Sequence, residues 1–115
     1  MTDIFTRIVR GEVPADILYQ DQQVTAFRDA HPAAPVHILI VPNQEIASLD
    51  DLQPADQALA GQMLLVAQKL ARQEGLANQG YRLIINCGPH GGQEVAHLHM
   101  HLLGGRPLGP MLLRQ

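Results

Sequence analysis

Tryptophan is absent from the 115-residue chain, and two phenylalanines and two tyrosines are its only large aromatics, so aliphatic side chains must fill its core. One cysteine, Cys87, excludes an intramolecular disulfide framework and fits a reducing compartment. Lysine is nearly missing: Lys69 stands alone, and the net charge is −3. That balance argues against a nucleic acid or an anionic membrane surface as partner. A small phosphate-bearing ligand is still compatible, because backbone amides can hold it without lysine. No apolar run approaches the length of a membrane span. The N-terminal MTDIFTRIVRGE has scattered charges and no apolar segment, unlike a signal peptide. With 46% hydrophobic and 17% charged residues, the chain reads as one soluble cytoplasmic domain with a modest core.

What is present falls into a simple order. Ile4, Phe5, Ile8 and Val9 recur at helical spacing behind Asp3, a good N-cap, and Gly11 and Pro14 end the short helix. ILYQD (17–21) and VTAFRD (24–29) flank the polar pair Gln22–Gln23 and predict a hairpin. After the loop HPAAP (31–35), VHILIVP (36–42) is apolar on both alternating faces and reads as a central strand covered on both sides. Pro54, then Leu59, Met63, Val66 and Leu70, mark a long helix that Gly75 and Leu76 close. YRLIINC (81–87) is a strand, GPHGGQ (88–93) a glycine-rich turn and VAHLHMHLL (95–103) the last strand. The prediction is an α+β fold, an antiparallel sheet with helices on one face.

HLHMHLL (97–103) carries the chemistry. On a strand, His97, His99 and His101 share one face, and Ala96, Leu98, Met100 and Leu102 the other. Three imidazoles so placed resist charging together, which predicts largely neutral, hydrogen-bonded rings. Three roles compete for them. They could form a solvated polar face. They could also bind a metal, but at ~3.3 Å per residue the outer pair lie about 13 Å apart, so a third ligand would come from elsewhere, His37 first. Finally, a neutral imidazole is a good nucleophile towards phosphorus and leaves readily again. That role needs one aimed histidine, neighbours that fix its tautomer, and amide donors. His99 with His97 and His101, beside the turn GPHGGQE, supplies these, and the glycines let backbone approach a phosphate.

HLHMHLL also fits the pattern His-φ-His-φ-His-φ-φ, with φ apolar, of the histidine triad (HIT) superfamily. IFTRIVRGEVPA, FRDAHPAAPVHILIVP and GYRLIINCGPHGGQEVAHLHMHLLGGR, in that order from Ile4 to Arg106, resemble its Hint branch, the purine nucleoside phosphoramidases. The resemblance implies a single HIT domain over 1–115 with a flexible tail from about 107, and a five-stranded antiparallel sheet with two helices. It further implies a homodimer whose sheets join into ten strands. The implied reaction is hydrolysis of a purine nucleoside 5′-phosphoramidate, such as an AMP–amine or AMP–lysine adduct, with no metal or cofactor.

By the same resemblance His99 is the nucleophile that takes the nucleotidyl group. His97, through its backbone carbonyl, and His101 orient it, and His37 is a fourth, supporting histidine. Asp29 would accept the ribose hydroxyls; a turn-initiating Asp is its plain alternative. Ile4, Phe5, Ile8, Phe27 and Leu39 match the apolar base slot, although periodicity alone makes them core. Asn86, Gly92, Gln93 and Val95 match contacts to phosphate or leaving group. Cys87 reads as structural, and His31 and His90 as solvent-facing loop residues.

Three positions depart from the branch. Glu94 stands where Ser is common, Ala96 replaces a bulkier residue, and the tail PLGPMLLRQ lacks a tryptophan found in some members. The alternatives left are a dinucleoside polyphosphate hydrolase or nucleotidyl transferase, a non-catalytic purine nucleotide sensor, and a metal site.

Overall fold

In the computed structural model, residues 2–114 are described, so Met1 and the last tail residue, Gln115, lie outside. Five strands, β1 (Ile17–Gln20), β2 (Val24–Arg28), β3 (Val36–Pro42), β4 (Tyr81–Ile85) and β5 (Met100–Gly104), form one antiparallel sheet in the order β1-β2-β3-β5-β4. Helix α1 spans Ile4–Val9 and helix α2 spans Gln57–Gln73. The α+β expectation therefore holds in strand number, pairing sense and helix count.

The two helices do not share a face. Ile38 and Ile40 of β3 face one side, buried with Leu59, Met63, Val66 and Leu70 of α2 and with Leu98, Met100 and Leu102. Leu39 and Val41 face the other side and join Phe5 and Ile8 of α1 and Phe27 of β2. The prediction of helices on one face is corrected by this division. Its cause was visible in VHILIVP, which is apolar at successive positions and so needs a cover on each side.

Local chemistry sets the element ends. Asp3 caps α1, its Oδ1 accepting the Thr6 amide at 2.9 Å. In the β1–β2 hairpin the organiser is Asp21 rather than the glutamines. Its Oδ1 accepts the Gln23 and Val24 amides at 2.7 Å each, and its Oδ2 accepts Tyr19 Oη at 2.6 Å and Gln62 of α2 at 2.9 Å. Burial works to raise the Asp21 carboxyl, but these donors outweigh it and hold the pKa down at about 2. Pro54 opens a 3-10 turn that runs into α2. At the other end Gly75 takes φ +75°, and Leu76 donates back to Ala71 at 2.9 Å while its side chain enters the core.

The last strand begins later than VAHLHMHLL suggests. Residues 95–99 are irregular, tied by Leu98 N–H to the Ile46 carbonyl at 2.7 Å, and only from Met100 does the chain pair with β3 and β4. Strand β4 likewise ends at Ile85, short of the expected Cys87. No helix among the described residues is long and apolar enough to cross a membrane.

Leu102 is fully buried at the centre of the α2 face. Leu102→Ala should cost about 3 kcal/mol of stability, since the space it leaves cannot fully collapse. Urea unfolding should show a lower midpoint at an unchanged slope.

Candidate active site

The site forms on the α1 face, where register brings distant residues into one row. Phe27 pairs with Leu39, Leu39 with His101 and His101 with Ile84, so these four side chains share the face across four strands. His37 lies two residues from Leu39 on the same face. Above this row sits a cavity of about 640 Å³, within the range of small-molecule sites.

Of the residues singled out from the sequence, the cavity is lined by Ile4, Phe5, Ile8, Phe27, Asp29, Leu39, Asn86, Gly92, Glu94, Val95, His99 and His101. Phe5, Ile8, Phe27 and Leu39 are at once core residues and cavity wall. Phe5 stands edge-on to His99, with ring centroids 4.9 Å apart. Asp29 Oδ1 accepts the His31 amide at 2.8 Å in a local turn, and the carboxylate also borders the cavity.

Hydrogen bonds fix the imidazole tautomers. His37 Nδ1 accepts the Ala33 amide at 3.0 Å, so its Nε2 carries the hydrogen. That Nε2–H donates to His101 Nδ1 at 2.9 Å, with Asp29 Oδ2 3.5 Å away. His101 therefore keeps its own hydrogen on Nε2. His99 donates from Nδ1 to the His97 carbonyl at 2.6 Å, which leaves its Nε2 with the lone pair. The result is one nucleophilic nitrogen on His99 beside one N–H donor on His101, the two rings 5.1 Å apart.

His97 departs from expectation. Its ring does not line the cavity with the other two but is fully buried, with Nε2 2.8 Å from the Pro42 carbonyl and Nδ1 3.0 Å from Asp3. The reason is that residues 95–99 are not strand, so strict alternation fails there. Gln93 is also turned away. Its side-chain oxygen accepts the Gly88 amide at 3.0 Å, and its nitrogen donates to the Ala47 and Val95 carbonyls at 2.7 and 2.9 Å. The amides of Gly92 and Gln93, which the glycine-rich turn seemed to offer to a phosphate, are bonded to the Pro89 and Gly88 carbonyls at 3.1 Å each.

Six wall residues were missed: Pro14, Ala15, Asp16, Arg28, Ala30 and His31. Nothing in their local pattern marks them, except that they flank Ile17 and Asp29, and His31 is exposed as read while still edging the cavity. Arg28 is not free for a phosphate. Its guanidinium grips Glu74 at 2.7 and 3.1 Å and lies 3.4 Å from Asp16.

A cation has one candidate position among the described residues, where ligand atoms of Asp29, His37 and His101 lie within 4.8 Å of one another. Binding there would have to displace the hydrogen shared by His37 and His101.

The site defines a class, and the chain belongs to the HIT domain family, whose model matches residues 10–108. Among its relatives, the Escherichia coli K12 protein named purine nucleoside phosphoramidase is 60% identical over 109 residues, covering 95% of this chain and 92% of that one. The solved HIT family hydrolase from Clostridium thermocellum superposes with a TM-score of 0.93 at 43% identity, covering 97% of each chain. One from Legionella pneumophila gives 0.92 at 45% identity, covering 94% of this chain and 96% of that one.

Burial pushes the His101 pKa down to about 4, and the neighbouring His99 and His37 rings push the same way. Because the folded value lies below the ordinary 6.5, the neutral ring stabilises the fold fully above that pH. This contribution is lost as pH falls from 6.5 through about 4. An NMR titration of the His101 ring should give a midpoint near 4, with the Nε2–H tautomer unchanged at neutral pH.

Proposed function

We propose that the protein hydrolyses purine nucleoside 5′-phosphoramidates to a nucleoside monophosphate and an amine, through a nucleotidyl intermediate on His99. The observation that carries this is the bond from His99 Nδ1–H to the His97 carbonyl, which leaves Nε2 unprotonated on the cavity wall. The name of the E. coli relative supports the substrate class.

In this reading Phe5, Ile8, Phe27, Leu39 and the half-exposed Ile4 hold the base by its faces. Asp29 accepts ribose hydroxyls, and Asn86, Gly92 and Val95 border the phosphoryl group. His99 Nε2 forms a bond to phosphorus as the bond to the amine nitrogen breaks, and the departing nitrogen takes a proton from solvent water. A water then attacks phosphorus and gives a proton back to solvent as the bond to His99 breaks. His101, neutral and donating from Nε2, steadies the phosphoryl oxygens or the leaving nitrogen, with His37 holding its other face. No step draws on a metal or cofactor. Glu94 sits on the wall near the turn. A carboxylate there favours leaving amines over anionic leaving groups, which sets this reading ahead of a dinucleoside polyphosphate hydrolase or nucleotidyl transferase.

The same reading includes a cytoplasmic location, supported by the unpaired Cys87 thiol, and a homodimer with a ten-stranded sheet. Strand β4 is a sheet edge whose Tyr81 and Leu83 are 39% and 36% exposed, which supports a partner copy there.

Turnover of adenosine 5′-phosphoramidate should be insensitive to EDTA and fall at least about 1000-fold in His99→Ala. AMP binding without turnover in the unmodified protein would overturn the proposal in favour of a nucleotide sensor. Sedimentation equilibrium should give twice the chain mass, and Leu83→Arg should shift the protein towards monomer.

A further inference from the structure

Asp3 lies outside the cavity, yet its carboxylate uses both oxygens on two different elements. Oδ1 accepts the Thr6 amide at 2.9 Å, the bond that caps α1. Oδ2 accepts the Thr6 hydroxyl at 3.1 Å, and the two oxygens lie 3.1 and 3.0 Å from His97 Nδ1. A helix cap needs only one acceptor, which Ser or Thr supplies as well. The second oxygen therefore serves His97.

The His97 ring is fully buried and held at both ends. Nε2 has the Pro42 carbonyl, which can only accept, so that nitrogen donates. Nδ1 faces both carboxylate oxygens and, at 3.2 Å, the Thr6 hydroxyl, whose hydrogen is given to Asp3 Oδ2. A lone pair there would oppose three oxygens, so Nδ1 donates as well. With its side chain pinned between Asp3 and β3, the His97 main chain has little freedom. Its carbonyl is the one that receives His99 Nδ1–H at 2.6 Å. Residues 95–99 have no strand pairing of their own. The peptide that carries the carbonyl is tied by Leu98 N–H to the Ile46 carbonyl at 2.7 Å, and the ring anchor holds the same residue from its side chain.

We propose that Asp3 is a positioning residue for the nucleophile: through the buried His97 ring it fixes the carbonyl that selects the His99 tautomer. This rests on His99 being the nucleophile. Because Asp3 also caps α1, which carries Phe5 against His99, one carboxylate ties the base-slot helix to the reacting imidazole. The set Asp3, Thr6, His97, His99 spans both ends of the chain and is legible only in the folded protein.

The test separates cap from anchor. Asp3→Ser keeps an acceptor for the Thr6 amide but is too short to hold His97 as well. The variant should remain folded at assay temperature with KM within about twofold, and kcat should fall about tenfold for a slightly misplaced imidazole. Nitrogen-15 NMR should then show His99 as a mixture of tautomers rather than Nδ1–H alone. Asp3→Asn can place its Oδ1 to accept both the Thr6 amide and His97 Nδ1–H, as Asp3 Oδ1 does, so it should recover most of the loss and restore the tautomer.

Unchanged kcat in Asp3→Ser would overturn the proposal, as would a lower kcat with His99 still wholly Nδ1-protonated. The unmodified protein gives a reading that needs no variant: both His97 ring nitrogens must carry hydrogen, and a bare Nδ1 would overturn the anchor. Loss of turnover in His99→Ala tests the nucleophile separately. The tautomer measurements hold whether or not a phosphoramidate turns over.

Discussion

The pairing register of β3 with β5 is the constraint on which the site depends. It sets Leu39 opposite His101 and His37 opposite Leu103, so apolar wall and imidazole share one face with Phe27 of β2. The alternate positions, Ile38 with Leu102 and Ile40 with Met100, fill the core under α2. A slip of one residue would bury His101 in that core and expose Leu102 to the cavity. The register is held because both faces of β3 are covered, so any shift would cost apolar burial on two sides. Gly105, just past β5, helps to end the pairing: it takes φ +97°, and a Cβ there would come within 2.8 Å of the Pro35 side chain.

On that frame, backbone groups decide which ring nitrogens carry hydrogen. The Ala33 amide sets His37, His37 sets His101, and the His97 carbonyl sets His99. None of these choices requires a charged neighbour, and the low pKa of His101 keeps that ring neutral across the physiological range. The arrangement sets a lone pair on one ring beside an N–H donor on the next, which suits the nucleophilic chemistry proposed. The cavity wall carries Asp16, Asp29 and Glu94 against the single, already paired Arg28. A phosphate entering here would be met mainly by imidazole and short neutral groups, in keeping with a chain that has one lysine.

Much of this was legible in the residues. Helical spacing behind Asp3, the Gly75 cap, the double-sided apolar run at 36–42 and the order of elements along the chain all follow from local pattern and are present in the fold. HLHMHLL and its flanking blocks pointed to the family. The errors lie where a local pattern was extended beyond what pairing supports. Alternation through 95–103 implied one strand and three rings on one face, whereas the ladder begins only at Met100. The turn amides of Gly92 and Gln93 close the turn itself, and the Gln93 side-chain amide donates to the Ala47 and Val95 carbonyls.

The sequence by itself determined the elements, the two apolar faces of β3 and the presence of a histidine cluster beside an apolar slot, because these depend on spacing within a few residues. Tertiary structure alone decided which face each helix covers, that His97 turns inward to Asp3 across 94 positions of chain, and that Arg28 is spent on Glu74. Those outcomes depend on which distant acceptor reaches a buried donor first. Period and composition carry no information about that, because it is fixed only when the strands have paired.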